Sequence, residues 1–154
     1  MKNKKALIIC ILIPIAVGGL ASFLTRNSMD VYEKLIQPPL SPPSWLFPVV
    51  WTILYLLMGI SSYLVFVSDS IYRKSALKIY GVQLAVNFFW TIIFFNLELY
   101  LFAFIWLVLL LLLILMMVLV FSRINKTSGY LQFPYLLWVL FAAYLNLGIY
   151  LLNR

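Results

Sequence analysis

The chain has 154 residues, of which 66% are hydrophobic and 10% charged, with 11 Lys and Arg against 4 Asp and Glu, one Cys and no His. Soluble domains are about half apolar and a quarter charged, so this composition excludes that class and points to a polytopic membrane protein. A lone Cys10 rules out an internal disulfide, and the lack of His speaks against histidine-held haem, zinc or copper, so neither metal nor cofactor is expected.

Lys2, Lys4 and Lys5 precede the first apolar run, 6–25. The small residues of "GGLAS" at its end resemble a cleavage site, but a run of about twenty apolar residues is long for a signal peptide, so it is kept as a membrane span. The segment 26–42 is unlike every other loop. It contains "DVYEKLIQPPLSPPS", in which Asp30 and Glu33 have capping-box spacing and Val31, Leu35 and Ile36 are placed for one apolar stripe. Pro38 and Pro39 should end that short helix. Composition leaves open whether the loop is a lid or a stiff connector lying on the headgroups.

Four further spans follow at about 43–67, 78–97, 99–121 and 129–152, each long enough to cross a bilayer as a helix. The expected fold is all-α, a single membrane domain of five transmembrane helices. Pro42 and Pro43 should lie in the first turn of the second span, and Pro48 inside it should bend the helix. Lys and Arg alternate in density between the loops. Lys2, Lys4, Lys5, Arg73, Lys74, Lys78, Arg123 and Lys126 lie on one side, and Arg26, Lys34 and Arg154 on the other. The bias predicts a cytoplasmic N-terminus and an external C-terminus, and it accounts for the net charge of +7 without a nucleic-acid partner.

Polar groups in hydrocarbon are costly, so they should face the bundle interior. In the second span Trp51, Tyr55, Met58 and Ser62 share a face. In the third, "GVQLAVNFFWTIIFF" puts Gln83, Asn87, Trp90 and Phe94 within about 60° of one another. In the fifth, Pro134, Trp138, Ala142 and Leu145 align, with Asn146 at the edge. The fourth span is nearly pure aliphatic apart from Tyr100 and Trp106, and is expected to be a lipid-facing buttress. If the three aromatic–polar stripes converge, Trp51, Trp90 and Trp138 wall a pocket with Gln83 and Asn87 as fixed polar groups, suited to a flat, mostly apolar ligand. Residue type alone leaves a second reading open. Trp and Tyr also mark membrane interfaces, and Asn and Gln also join helices at roughly 1 kcal/mol per bond or less.

The pieces "PPSWLFPVVWTILYLLMG" (42–59), "QLAVNFFWTIIFF" (83–95) and "PYLLWVLFAAYLN" (134–146), in this order within five spans, resemble the translocator protein / tryptophan-rich sensory protein (TspO/MBR) family. The resemblance covers roughly residues 30–153 and implies a bacterial member: a five-helix bundle in the cell membrane, usually a homodimer, with a cavity opening under the first loop. It implies binding of porphyrins such as protoporphyrin IX, and in some members of sterols and drugs. Some bacterial members are reported to degrade the porphyrin in light. Carried over by motif, the ligand-contacting positions are Tyr32, Pro42, Trp51, Tyr55, Asn87, Trp90, Trp138 and Ala142. The family's sterol pattern is only loosely met by Leu147, Tyr150 and Arg154.

A porphyrin disc matches Trp faces, and Arg26 and Lys34 in the outer loop are candidate partners for its propionates. Under light, Trp51 and Trp138 are the candidates to supply electrons to, or confine, a reactive species. Competing classes are a transporter of porphyrin or another amphiphile, and a regulatory subunit with a vestigial pocket. The spans hold no ionisable residue to couple transport to an ion, and five helices leave no inverted repeat. Asp69 and Glu98 lie in loops on opposite sides, so no hydrolase pair exists.

Overall fold

The computed structural model describes residues 3–154; Lys2, counted in the charge bias, lies outside them. The backbone groups of a membrane span must be satisfied within the span, and these apolar runs do so as helices. They are α1 (Lys4–Thr25), α3 (Leu46–Phe66), α4 (Arg73–Thr91), α5 (Tyr100–Ile124) and α6 (Lys126–Leu152), with a short α2 (Met29–Lys34) between the first two. Five helices, one of them α1 continued through α2, are long and apolar enough to cross a bilayer, and no strand occurs among the described residues. The protein is an all-α integral membrane bundle. Around its circumference the order is α1, α3, α6, α5, α4, so the last helix inserts between the second and fourth spans, and α4 closes the ring against α1.

Helix limits differ from the expected spans. Helix α4 begins at Arg73, taking Lys74 and Lys78 into its first two turns, because long cationic side chains reach the interface while their backbone continues the helix. Helix α3 starts only at Leu46, so Pro42 and Pro43 stay in the loop and Pro48 falls in the first turn, where its missing N–H has no intrahelical partner to lose. The bend expected at Pro48 therefore has no cause. The prolines inside helices are Pro14 of α1 and Pro134 of α6.

The aliphatic fourth span is more than a buttress. Ala103, Leu107, Leu110, Ile114, Met117 and Phe121 of α5 recur at steps of four and three and are all 0–1% exposed. That spacing is a coiled-coil seam, and it packs chiefly on α6, with the opposite face left to lipid. In a bilayer such packing rests on close van der Waals contact and small residues rather than on hydrophobic expulsion. At Gly129 of α6 a Cβ would collide with Ser122 of α5, and at Gly59 of α3 it would come 2.5 Å from the Ile11 Cα of α1. Asn125 ends α5 and caps α6, accepting from the Ser128 N–H at 3.1 Å. Ser61 Oγ donates to the Ser128 carbonyl at 2.7 Å, tying α3 to the same turn.

The first loop is largely helical. A 3-10 turn, Arg26–Ser28, carries α1 directly into α2. Asp30 lies inside the first turn of α2 and does not cap it; Ser28 occupies the cap position without a capping bond, its hydroxyl donating instead to Asn96 Oδ1 at 2.7 Å. The inward residue is Tyr32, 5% exposed, whereas Ile36 of the expected stripe is 61% exposed. Beyond α2 the chain is fastened to the C-terminal half of α6. Asn153 bonds both the N–H (2.9 Å) and the carbonyl (2.8 Å) of Ile36, and the Tyr144 hydroxyl donates to the Pro39 carbonyl at 2.7 Å. Pro38 sits against Gly148, where a Cβ would come within 2.6 Å of its ring.

An aromatic cavity under the first loop

Below α2, at the end of the bundle away from the N-terminus, the helices part around a cavity of about 310 Å³. Its aromatic wall can be followed ring by ring. Trp51 stacks on Tyr55 (centroids 5.6 Å apart) and faces Trp90 (6.4 Å); Trp90 meets Phe94 (5.6 Å). Phe94 meets Tyr32 (6.2 Å), Tyr32 meets Phe47 edge-on (6.0 Å), and Phe47 meets Trp138 (5.9 Å). Three spanning helices, α3, α4 with its π-turn and α6, and the loop thus supply one continuous belt of ring faces.

Each ring has a local reason for its position. Trp90 is fixed by its indole N–H, which donates to Asn146 Oδ1 at 3.1 Å, and Asn146 Nδ2 in turn donates to the Tyr100 carbonyl at 2.8 Å. After Thr91 the helix widens into a π-turn, Ile92–Asn96, closed by the Leu97 N–H on the Ile92 carbonyl at 3.1 Å. Such turns are rare and recur at functional sites. This one sets Phe94 and Phe95 in the wall. The Tyr55 ring lies over Gly18 of α1, where any Cβ would collide with it. Trp138 sits at the middle of α6 and reaches the cavity beside Phe47. Its indole N–H is buried without a partner among the described residues, a costly state for a donor in an apolar setting.

Of the residues singled out from the sequence, Tyr32, Trp51, Tyr55, Trp90, Trp138 and Ala142 line the cavity. Five do not. Gln83 and Asn87 are buried behind the wall: Tyr135 donates its hydroxyl to Gln83 Oε1 at 2.8 Å, and Asn87 Nδ2 donates to the Tyr55 hydroxyl at 3.3 Å. They join helices below the floor rather than face a ligand. Pro42 lies past the segment held on α6, outside the lining. Arg26 points away, its guanidinium 3.9 Å over the Phe23 ring and bonded to the Phe23 carbonyl. Lys34 is exposed at the end of α2, also outside the lining. Pro134, placed on the Trp138 face by spacing, is exposed and outside the cavity as well.

The wall that residue chemistry did not reveal belongs to α1: Gly18, Gly19, Ala21 and Ser22. The signal was present in "GGLAS", whose small side chains leave room for rings. Gly19 and Ser22 of α1 and Pro48 and Thr52 of α3 line the cavity yet remain exposed. The mouth therefore opens sideways between α1 and α3, beneath the loop.

Comparison with known proteins agrees with this architecture. The profile of the TspO/MBR family matches residues 10–152. The chain is 37% identical to the tryptophan-rich protein TspO of Chlorobaculum tepidum, over 99% of this chain and 98% of that protein. It is 36% identical to the tryptophan-rich protein TspO of Archaeoglobus fulgidus, over 98% and 99%. It is 33% identical to the tryptophan-rich sensory protein of Cereibacter sphaeroides, over 79% and 76%. The match takes in α1, which the residue motifs had left out.

Proposed function

The chain belongs to the TspO/MBR family of integral membrane proteins, and from that premise we propose that its cavity receives a porphyrin of the protoporphyrin IX kind and that the protein acts as a receptor for it. The observation that carries this reading is the belt of ring faces ending at Trp138, with an indole N–H that has no acceptor among the described residues. An aromatic disc gains from offset contact with such faces, and an acceptor at its edge satisfies the indole. A cavity of about 310 Å³ is at the lower end of the usual range for small-molecule sites. A tetrapyrrole fills it and protrudes through the mouth between α1 and α3. Its carboxylates then meet Arg26 or Lys34 only after those side chains turn from their present positions.

Light adds a chemical role. We infer that light-excited porphyrin generates a reactive species from dissolved dioxygen, and that Trp51 and Trp138, oxidisable indoles of the cavity wall, supply electrons to that species or confine it. A receptor is favoured over a conduit by what lies under the floor. Met58, Gln83, Asn87, Gln132 and Tyr135 are 0–1% exposed, so the middle of the bundle is packed across its width. The test is an absorbance spectrum of purified protein with protoporphyrin IX before and after illumination. The wild type loses the porphyrin band in light; Trp51→Phe and Trp138→Phe bind porphyrin but lose the band more slowly. Equal loss in all three leaves the indoles without a chemical role.

A further inference from the structure

At the other end of the bundle a second hollow, of about 520 Å³, lies between α1, α3 and α4. Lys5 stands at its rim, and Ile9, Ile13, Leu84 and Gly81 form its sides. Ile9 and Ile13 are 56% and 48% exposed, so the outer side is open to the hydrocarbon. Two buried hydroxyl-bearing side chains, Tyr80 and Ser62, line it from within. Tyr80 lines the hollow and is 7% exposed, and its hydroxyl has no hydrogen-bond partner among the described residues. Ser62, in the same wall, donates its own hydroxyl to the Gly59 carbonyl at 3.0 Å, and its oxygen lies near the Tyr80 hydroxyl without closing a hydrogen bond.

Depth identifies what fits. Tyr80 lies two turns inside α4, roughly 10 Å from its first residue at 1.5 Å per residue. The polar layer of a leaflet is only about 5–7 Å thick, so the Tyr80 hydroxyl sits at or just below the ester level. The hollow therefore asks for two polar groups at two depths, an anion at the rim and a neutral acceptor further in, followed by an apolar chain. Lys4, Lys5, Arg73, Lys74, Lys78, Arg123 and Lys126 all belong to this end, against a single acid, Asp69, so the rim favours an anionic head. A free fatty acid has only one polar end. We propose that the hollow holds one anionic phospholipid from the leaflet on the N-terminal side, with its phosphate at Lys5, an ester carbonyl accepting from Tyr80 and an acyl chain along Ile9, Ile13 and Leu84.

Gly81 supplies the test, because a Cβ there meets nothing within 4 Å. Gly81→Phe fills the hollow without a backbone clash. The full chain in detergent is titrated with dioleoylphosphatidylglycerol, dioleoylphosphatidylcholine or oleate and followed by native mass spectrometry. Wild type binds one phosphatidylglycerol per protomer most tightly. Gly81→Phe weakens it by at least roughly tenfold while thermal unfolding is not lowered. Tyr80→Phe weakens both phospholipids alike, roughly threefold to tenfold, since the ester is common to them. Lys5→Gln removes the preference for the anionic head. If Gly81→Phe does not fold, Leu84→Phe fills the hollow from one turn further along α4 and carries the same expectation. The proposal is overturned if the filling variant binds phosphatidylglycerol as wild type does, if oleate binds at least as tightly, or if the two phospholipids bind equally. Protoporphyrin binding at the other end serves as the control and is unchanged in Gly81→Phe.

Discussion

Replacing Asn146 by Leu tests how the aromatic wall is held. The amide accepts from Trp90 Nε1 at 3.1 Å and donates to the Tyr100 carbonyl at 2.8 Å, so the isosteric apolar variant removes two bonds and leaves the Trp90 donor buried. Side-chain hydrogen bonds between membrane helices contribute about 0.6 kcal/mol on average and up to about 1.7. Asn146→Leu should therefore destabilise the protein by about 1–3 kcal/mol, measured by reversible unfolding in mixed detergent. Freed Trp90 should also weaken porphyrin binding, by up to roughly tenfold if about 1.4 kcal/mol of positioning is lost. The control is a cycle with Trp90→Phe, which keeps a ring and drops the N–H. In that background the Asn146 change loses only the Tyr100 bond, so the two changes should be coupled by about 0.6–1.7 kcal/mol. Strict additivity, or a variant as stable as wild type, would refute the role given to this pair.

Other expectations are as direct. Gly18→Ala collides with the Tyr55 ring whereas Gly19→Ala meets nothing; the first should cost about 1–3 kcal/mol and tilt Tyr55, and the second should be neutral or stabilise by up to about 1 kcal/mol. Asn153→Ala removes the clamp on Ile36 and should speed both entry and release of porphyrin in stopped-flow quenching, with little change at equilibrium. The orientation proposed from the Lys and Arg bias is checked with single cysteines in a Cys10→Ser background. A Cys at Asp69 should react with an impermeant maleimide only in inverted vesicles, and a Cys at Glu98 only in intact cells. The opposite pattern reverses the topology.

The spans, their number and the inward aspect of Trp51, Tyr55, Asn87, Trp90 and Ala142 were legible in the sequence, because burying polar and aromatic groups in lipid leaves few alternatives. What periodicity does not carry is depth. Gln83 and Asn87 point inward as their spacing requires, yet they end below the cavity floor, where Tyr135 and Tyr55 come from neighbouring helices to meet them. Nothing in one helix states which partner stands opposite. The contribution of α1 was hidden for the converse reason, since Gly18 and Gly19 build a wall by lacking side chains. Arg26 shows the limit of charge as a guide. A cation near a pocket is free to lie over a neighbouring ring instead, as Arg26 does over Phe23.

The central claim is that the belt from Trp51 to Trp138 encloses the ligand site. Ala142, 8% exposed between Trp138 and Asn146 in the cavity wall, offers the most direct measurement: titration of tryptophan fluorescence with protoporphyrin IX in wild type and in Ala142→Leu, alongside thermal unfolding of both. Saturable quenching in wild type, weakened at least roughly tenfold in a variant of equal stability, is the expected result. Equal affinity in the two proteins would place the porphyrin elsewhere and contradict the account.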